Sequence, residues 1–271
     1  MKNLEKIDAK KSLGQHFLNN ARVPELMAET ADVKVGDTVL EIGPGTGVLT
    51  KELLKKGARV IAIEADPRAI QALENSFELE IQAKELVIFY GDVRNSNLKE
   101  LGFKPYKFKI VANIPYYLSG MLFRIFLESE IQPSDLVFLV QKEVAERIAR
   151  DKKESLLSLS IKVFGDPTYI KTIGKGNFTP QPKVDSAIIA VRNISSERLM
   201  QSNVTRELFF HIIHEGFKSK RKQLLGNLSE ILPRDTLTHI FSTLGLPLDI
   251  RGEDIPLDMW LKLCHEISLH M

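Results

Sequence analysis

The chain has 271 residues, 44% hydrophobic and 27% charged, with 37 Lys and Arg against 35 Asp and Glu for a net charge of +2. That length allows one large domain with a smaller companion, and the near-neutral balance means that only local clusters could announce a nucleic-acid partner. The single cysteine, Cys264, excludes an internal disulfide and a cysteine-based zinc site; the polar N-terminus lacks a signal-peptide core, no run is long enough to span a membrane, and a reducing, cytoplasmic setting is expected.

In chain order, residues 1–22 form a basic arm, with Lys2, Lys6, Lys10, Lys11 and Arg22 against Glu5 and Asp8. The arm's Gly14-Gln15-His16-Phe17-Leu18 suggests a segment that turns and packs rather than a solvated tail. A helix is predicted over 24–31, with Pro24 in its first turn. A β-rich run at 38–42 leads directly into Gly43-Pro44-Gly45-Thr46-Gly47. A helical pattern follows, with Leu49, Leu53 and Leu54 on one side. The run 59–63 reads as a second strand ending in Glu64, and Asp66-Pro67-Arg68 opens a helix to about residue 77. Residues 86–90 form a third strand ending in Gly91-Asp92. Residues 107–112 form a fourth, ending in Asn113-Ile114-Pro115-Tyr116. The pattern then predicts a helix over 118–127, a fifth strand over 136–140, a helix over 144–149, a sixth strand over 158–164 and a seventh over 186–191. Between the last two strands, residues 174–186 hold two glycines, two prolines and Phe178, and read as an irregular loop. Beyond residue 195 strand-like runs stop and helices are predicted over 205–217, 220–228, 235–244 and 257–267. The chain therefore divides into an α/β domain, 1–195, and a small all-helical domain, 196–271.

Strands alternating with helices predict a doubly wound, mostly parallel sheet, which binds ligands beyond the carboxyl ends of its strands. Glu41 to Gly47, Glu64, Asp92 and Asn113 all fall at such ends. Glycines let the backbone approach a ligand, and an acid about 20 positions further on suits ribose hydroxyls. This pattern fits a nicotinamide cofactor as well as S-adenosylmethionine. Three details favour the second. The loop is Gly-x-Gly-x-Gly rather than Gly-x-Gly-x-x-Gly. Glu41 before it suits an ammonium group and would repel a pyrophosphate. Asp92 can accept a bond from an adenine amine. Asn113-Ile114-Pro115-Tyr116 can be a plain strand-to-turn junction. It can also be a clamp for a planar base carrying an amine, since Asn offers an acceptor and donors, Pro115 fixes the backbone and Tyr116 offers a stacking face.

These segments, followed by Gln141-Lys142-Glu143-Val144, Phe178-x-Pro180-x-Pro182-x-Val184-Asp185-Ser186 and Phe217-Lys218-x-Lys220-Arg221-Lys222-x-Leu224, resemble the ribosomal RNA small-subunit adenine dimethyltransferases over almost the whole chain. The resemblance implies a Rossmann-like class I S-adenosylmethionine-dependent methyltransferase with a mostly parallel seven-stranded sheet and a helical RNA-recognition domain. His16 and Leu18 would line the cofactor pocket, although many relatives carry Asn at the position of His16. Gly43 and Gly45 would approach the methionine part, Glu64 the ribose, Asp92 the adenine, and Asn113 both cofactor and target. The reaction implied is N6,N6-dimethylation of two neighbouring adenines near the 3′ end of 16S rRNA in the immature small (30S) subunit, with a role in subunit biogenesis.

In that chemistry the Asn113 side-chain oxygen and the Ile114 carbonyl would accept bonds from the target amine, with Tyr116 stacked on the base and Phe178 closing its other face. The product ammonium is acidic and can lose its proton to water, so no catalytic histidine is assigned. His211 and His214 have metal-ligand spacing on a helix, but no further acid or histidine completes a site, and no metal is expected. Lys218, Lys220, Arg221 and Lys222 are candidate RNA contacts. A monomer without membrane association is expected. The alternatives are a 23S rRNA adenine methyltransferase of the antibiotic-resistance type, a non-catalytic ribosome-assembly factor and a nicotinamide-dependent oxidoreductase.

Overall fold

Apolar, β-branched runs become the strands of this computed structural model, which describes residues 4–5, 7–10, 14–219 and 221–271. In chain order the strands are β1 (Phe17–Leu18), β2 (Thr38–Ile42), β3 (Arg59–Glu64), β4 (Leu86–Tyr90), β5 (Lys109–Asn113), β6 (Asp135–Gln141), β7 (Asp166–Ile173), β8 (Phe178–Thr179) and β9 (Ser186–Arg192). Seven of them form one sheet in the order β4-β3-β2-β5-β6-β9-β7. The pairs from β4 to β6 are parallel, and β9 runs antiparallel to both β6 and β7. The parallel strands are buried on both faces, from Val39 and Leu40 through Ile61 and Val111 to Phe138, which is why they read as continuous apolar runs. The chain winds outward from β2 to β3 and then returns to place β5 on the other side. That switch point leaves a crevice at the strand tips.

Around the sheet lie α1 (Arg22–Thr30), α2 (Val48–Lys55), α3 (Pro67–Ser76), α4 (Glu78–Gln82) and α5 (Ser119–Leu127), and α6 (Lys142–Ala149) follows β6 in the chain. The start of α3 has a local cause: Asp66 caps it by accepting the Arg68 N–H, and Pro67 occupies the first helical position. One strand prediction is overturned. Residues expected to form a sixth strand over 158–164 lie instead in helix α7 (Leu156–Lys162). Ser158 to Val163 alternates polar and apolar residues, which reads as a strand, but Ser155 starts a helix here through a reciprocal capping box with Ser158. The place in the sheet is taken by β7, an edge strand whose Lys171 and Thr172 are exposed and whose Pro167 is tolerated at an edge.

The chain forms two compact units. One contains the described residues of Met1–Ala145 with Asp166–Ile194, and the other contains Glu146–Gly165 with Ser195–Met271. In the second unit, α7 joins α8 (Glu197–Gln201), α9 (Arg206–Gly216), α10 (Leu224–Leu228), α11 (Arg234–Thr243) and α12 (Leu257–Ser268). The Glu154 N–H donates to the Glu253 carbonyl at 2.7 Å, and the Arg198 guanidinium to the Gly165 carbonyl at 3.1 Å. Trp260 sits so close to Gly216 that a Cβ there would lie 2.5 Å from its ring. Cys264 is buried, which pushes its thiol far above the ordinary range. Among the described residues no helix is long and apolar enough to cross a membrane, and no cluster of three metal-ligating side chains occurs.

Candidate active site

The tips of β2, β3, β4 and β5 open into a cleft holding about 950 Å³ of space continuous with solvent. Residues 14–17, 91–94 and 113–118 line it, with Ile42, Gly43, Gly45, Ile63, Glu64 and Ala65. Of the expected cofactor and base residues, His16, Gly43, Gly45, Glu64, Asp92, Asn113, Ile114, Pro115 and Tyr116 therefore share one cavity. At Gly43, with φ +62°, a Cβ would meet nothing within 4 Å, so bare backbone faces open space. At Gly45, with φ +57°, a Cβ would lie 2.9 Å from the Phe17 ring, so the glycine is what lets Phe17 pack on the loop.

Glu64 is held by backbone N–H groups. Its Oε1 accepts from Ala65 and Asp66, both at 2.8 Å, and its Oε2 from Gly45 at 3.0 Å. Burial raises its pKa above the usual carboxylate value, and these three donors work against the rise. A carboxylate offers about four acceptor sites, so one remains for a sugar hydroxyl. A second such bond would need the Gly45 N–H to let go. Asp92 is held differently. The Arg94 Nε lies 2.9 Å from each carboxylate oxygen, the Arg94 backbone N–H donates to Oδ1 at 2.9 Å, and Nη2 makes a further short contact with Oδ2. The guanidinium is the main reason the Asp92 pKa is lowered, which keeps it an ionised acceptor. The sequence reading missed Arg94. Its only local signal is the Asp-x-Arg spacing, which acts only once residues 92–95 turn.

Three expected site residues lie outside the cleft lining. Leu18 is 7% exposed and Phe178 3% exposed, and both belong to the hydrophobic core. They pair with each other across the short antiparallel ladder between β1 and β8. In this structure the Phe178 ring packs in the core and does not line the cleft. Glu41 is 1% exposed, and its Oε2 has no hydrogen-bond partner among the described residues. Burial pushes its carboxyl up to about 8. It lies next to the loop but does not face the cleft.

At the tip of β5, the Asn113 Nδ2 donates to the His16 carbonyl at 3.2 Å. A carbonyl can only accept, so this bond fixes the amide orientation and leaves Oδ1 as the acceptor. Tyr116 is anchored at its hydroxyl, 2.7 Å from the Ser186 Oγ. Its ring stacks on His16, with centroids 5.7 Å apart and planes at 22°. Gln15 donates to the Asp66 carboxylate at 3.2 Å, and the Asn19 N–H to the Asn177 carbonyl at 3.0 Å, so residues 15–19 form a strap beside the cleft.

In the second unit Lys218, Arg221 and Lys222 lie between α9 and α10, and the helix expected over 220–228 begins at Leu224. The buried Asn227 amide organises the turn by donating to the carbonyls of Gly216 at 2.7 Å and Ser219 at 3.2 Å. Arg221 and Lys222 are exposed, and Lys218 pairs with Glu215 at 2.9 Å. Lys220 lies outside the described residues.

Comparison with known proteins agrees with this geometry. The model of the family "Ribosomal RNA adenine dimethylase" matches residues 6–268. Ribosomal RNA small subunit methyltransferase A of Dehalococcoides mccartyi is 36% identical over 265 residues, covering 97% of this chain and 89% of that protein. The protein of the same name from Lactobacillus johnsonii is 33% identical over 270 residues, covering 95% and 90%. Among solved structures, a dimethyladenosine transferase from Plasmodium falciparum matches with a TM-score of 0.77 at 25% identity, covering 92% of this chain and 96% of that one. The 23S rRNA methyltransferase ErmE gives 0.72 at 24% identity over 93% and 99%, a likeness of fold. With a match that runs from residue 6 to residue 268 and relatives above 30% identity over nearly its whole length, the chain belongs to the ribosomal RNA adenine dimethylase family.

Proposed function

We propose that this protein is an S-adenosylmethionine-dependent 16S rRNA adenine-N6,N6-dimethyltransferase. It modifies two adjacent adenines near the 3′ end of 16S rRNA in the immature 30S subunit, acting as a cytoplasmic monomer. The observation that carries the reading is the Asn113 amide, whose nitrogen is bonded to the His16 carbonyl and whose oxygen is left to accept, in the same cleft as Glu64 and Asp92. A hydride-transfer site has no use for an amine acceptor there.

The residues fit the cofactor. Gly43 leaves bare backbone facing open space, Glu64 keeps one acceptor site for the ribose, and Asp92 is an ionised acceptor for the adenine amine. S-adenosylmethionine supplies an electrophilic methyl on a positively charged sulfur. The protein's task is to aim a poor nucleophile at it, because the adenine amine delocalises its lone pair into the ring. The target base must first leave its stack. In the first transfer Asn113 Oδ1 and the Ile114 carbonyl then accept the two amine hydrogens, which turns the lone pair out of the ring plane; in the second transfer the one remaining hydrogen is left for them to hold. Tyr116, fixed through Ser186, stacks on the base, at about 1–3 kcal/mol per base in comparable sites. Positioning of this kind removes several kcal/mol of barrier, up to about 7–11 in the best intramolecular systems. The cationic product nitrogen then releases its proton to water. Residues 196–271 hold the RNA, with Arg221 and Lys222 facing its phosphates alongside Lys218 and Lys220.

The test is to incubate unmodified small subunits with enzyme and cofactor and to map methylated adenines by mass. Two adjacent dimethyladenines near the 3′ end of 16S rRNA are expected. Modification confined to 23S rRNA, or none in either RNA, would overturn the reading.

A further inference from the structure

We infer that the His16 side chain forms part of the wall of the target-base pocket, and that the Phe178 loop serves that pocket by holding His16 in place. This rests on the adenine reading above and assigns a further base-positioning contact within it. Phe178 is buried in the core and lines no part of the cleft in this structure. His16 does line the cleft, and its ring lies nearly parallel to Tyr116, at 5.7 Å and 22°. Such an offset pair falls in the range of ordinary aromatic stacking. It puts a second ring at the cleft next to Tyr116.

The ring is also preset. The His16 Nδ1 lies 2.7 Å from the Pro180 carbonyl, which can only accept, so Nδ1 carries the hydrogen and the imidazole cannot turn freely. Pro180 belongs to the Phe178 loop. The same loop grips the strap a second time through the β1–β8 ladder, with Phe17 opposite Thr179 and Leu18 opposite Phe178. The His16 carbonyl meanwhile orients Asn113. One residue thus borders the base with its side chain and sets the amine acceptor with its backbone. A cofactor role for His16 then falls to its backbone, and the side chain is free to serve the base.

The test compares His16→Ala, His16→Phe and His16→Asn in the full-length protein, with wild type and Tyr116→Ala beside them. Single-turnover methylation of small subunits and calorimetric cofactor affinity are both measured. His16→Ala should slow methylation roughly 5- to 150-fold, the equivalent of removing the stacking of one base, with cofactor Kd within about threefold of wild type. His16→Phe should restore most of the rate, because it keeps a ring, and His16→Asn should not. Rescue by Asn but not Phe would mean that only the bond to Pro180 matters, and equal rescue by both would mean that no ring is needed; either overturns the inference. So does full activity in His16→Ala, or a loss confined to cofactor affinity. If Tyr116→Ala is fully active, or if the wild type modifies no adjacent adenines, it is the underlying reading of the site that has failed.

Discussion

Replacing Glu41 with Gln tests how the floor of the glycine loop works. The Glu41 carboxyl is buried on β2, and its Oε2 and the Thr50 Oγ are both buried without a hydrogen-bond partner. Burial raises its pKa from 4.5 to about 8; the charge of Glu64 adds to the rise, and Thr50 stands near enough to temper it. The sign follows. Between those two values the folded state binds a proton that the unfolded state releases, so stability falls as pH rises through that window. At about 1.36 kcal/mol per unit, the full loss has a ceiling of about 4–5 kcal/mol, reached near pH 8 and absent below the unfolded value. Gln keeps the shape and removes the ionisation. The stability of Glu41→Gln minus that of wild type should therefore grow by several kcal/mol between about pH 5 and pH 8. Urea unfolding followed by circular dichroism at several pH values measures it. Trp260, the only tryptophan, lies in the other unit, and its fluorescence serves as a control. A difference that stays constant with pH would refute the reasoning. The same argument makes Glu41 mostly uncharged at neutral pH, so Glu41→Gln should bind the cofactor within about threefold of wild type. A tenfold loss would return to Glu41 the ammonium-binding charge that the sequence suggested.

Asn113→Ala should lower methylation about 100-fold or more, because it removes an acceptor preset for the amine; single-turnover rates check this, with circular dichroism as the folding control. Gly45→Ala forces an alanine to φ +57° with its Cβ 2.9 Å from the Phe17 ring, and it should raise cofactor Kd on the order of tenfold, since the strap must shift; unchanged calorimetry would count against the packing of Phe17 on the loop. Charge reversal at Lys218, Lys220, Arg221 and Lys222 should weaken RNA binding and lower the slope of log K against log salt by about 0.9 for each phosphate no longer neutralised. An unchanged slope in filter binding would remove that turn from the RNA surface.

Much of the sheet was legible because parallel strands buried on both faces leave unbroken apolar runs, punctuated by Gly43, Gly91 and Asn113. Residues 158–164 were not, because Ser158 to Val163 alternates polar and apolar residues as a strand does, and the deciding cap, Ser155, lies outside that stretch. The edge strand β7 was missed because its exposed Lys171 and Thr172 interrupt any apolar pattern. In the site, Glu64, Asp92 and Asn113 could be read as polar groups at the ends of apolar runs. Glu41 carried the same signal one residue before the end of its strand, and alternation along a strand sends neighbouring side chains to opposite faces. Its burial depends on what packs against that face, which sequence spacing does not carry. The stack of His16 on Tyr116 joins residues 100 positions apart and leaves no local trace.

The ties of residues 15–17 explain why the segment from Gly14 to Leu18 is not a solvated tail. Each of its ties ends beside a different part of the site. Gln15 reaches Asp66, whose N–H holds Glu64; Phe17 packs on Gly45; the His16 carbonyl holds Asn113; and its ring lies on Tyr116. A single hydrogen bond of this kind contributes only about 0.5–1.5 kcal/mol, so no one tie fixes the strap. Their spacing over residues 15–17 does, because a short extended segment cannot release one tie without moving the next. Glu64, the glycine loop and Asn113 are therefore mechanically joined by three consecutive residues. In a reaction that must align a methyl donor with a flipped base, that places both alignments under one element rather than two.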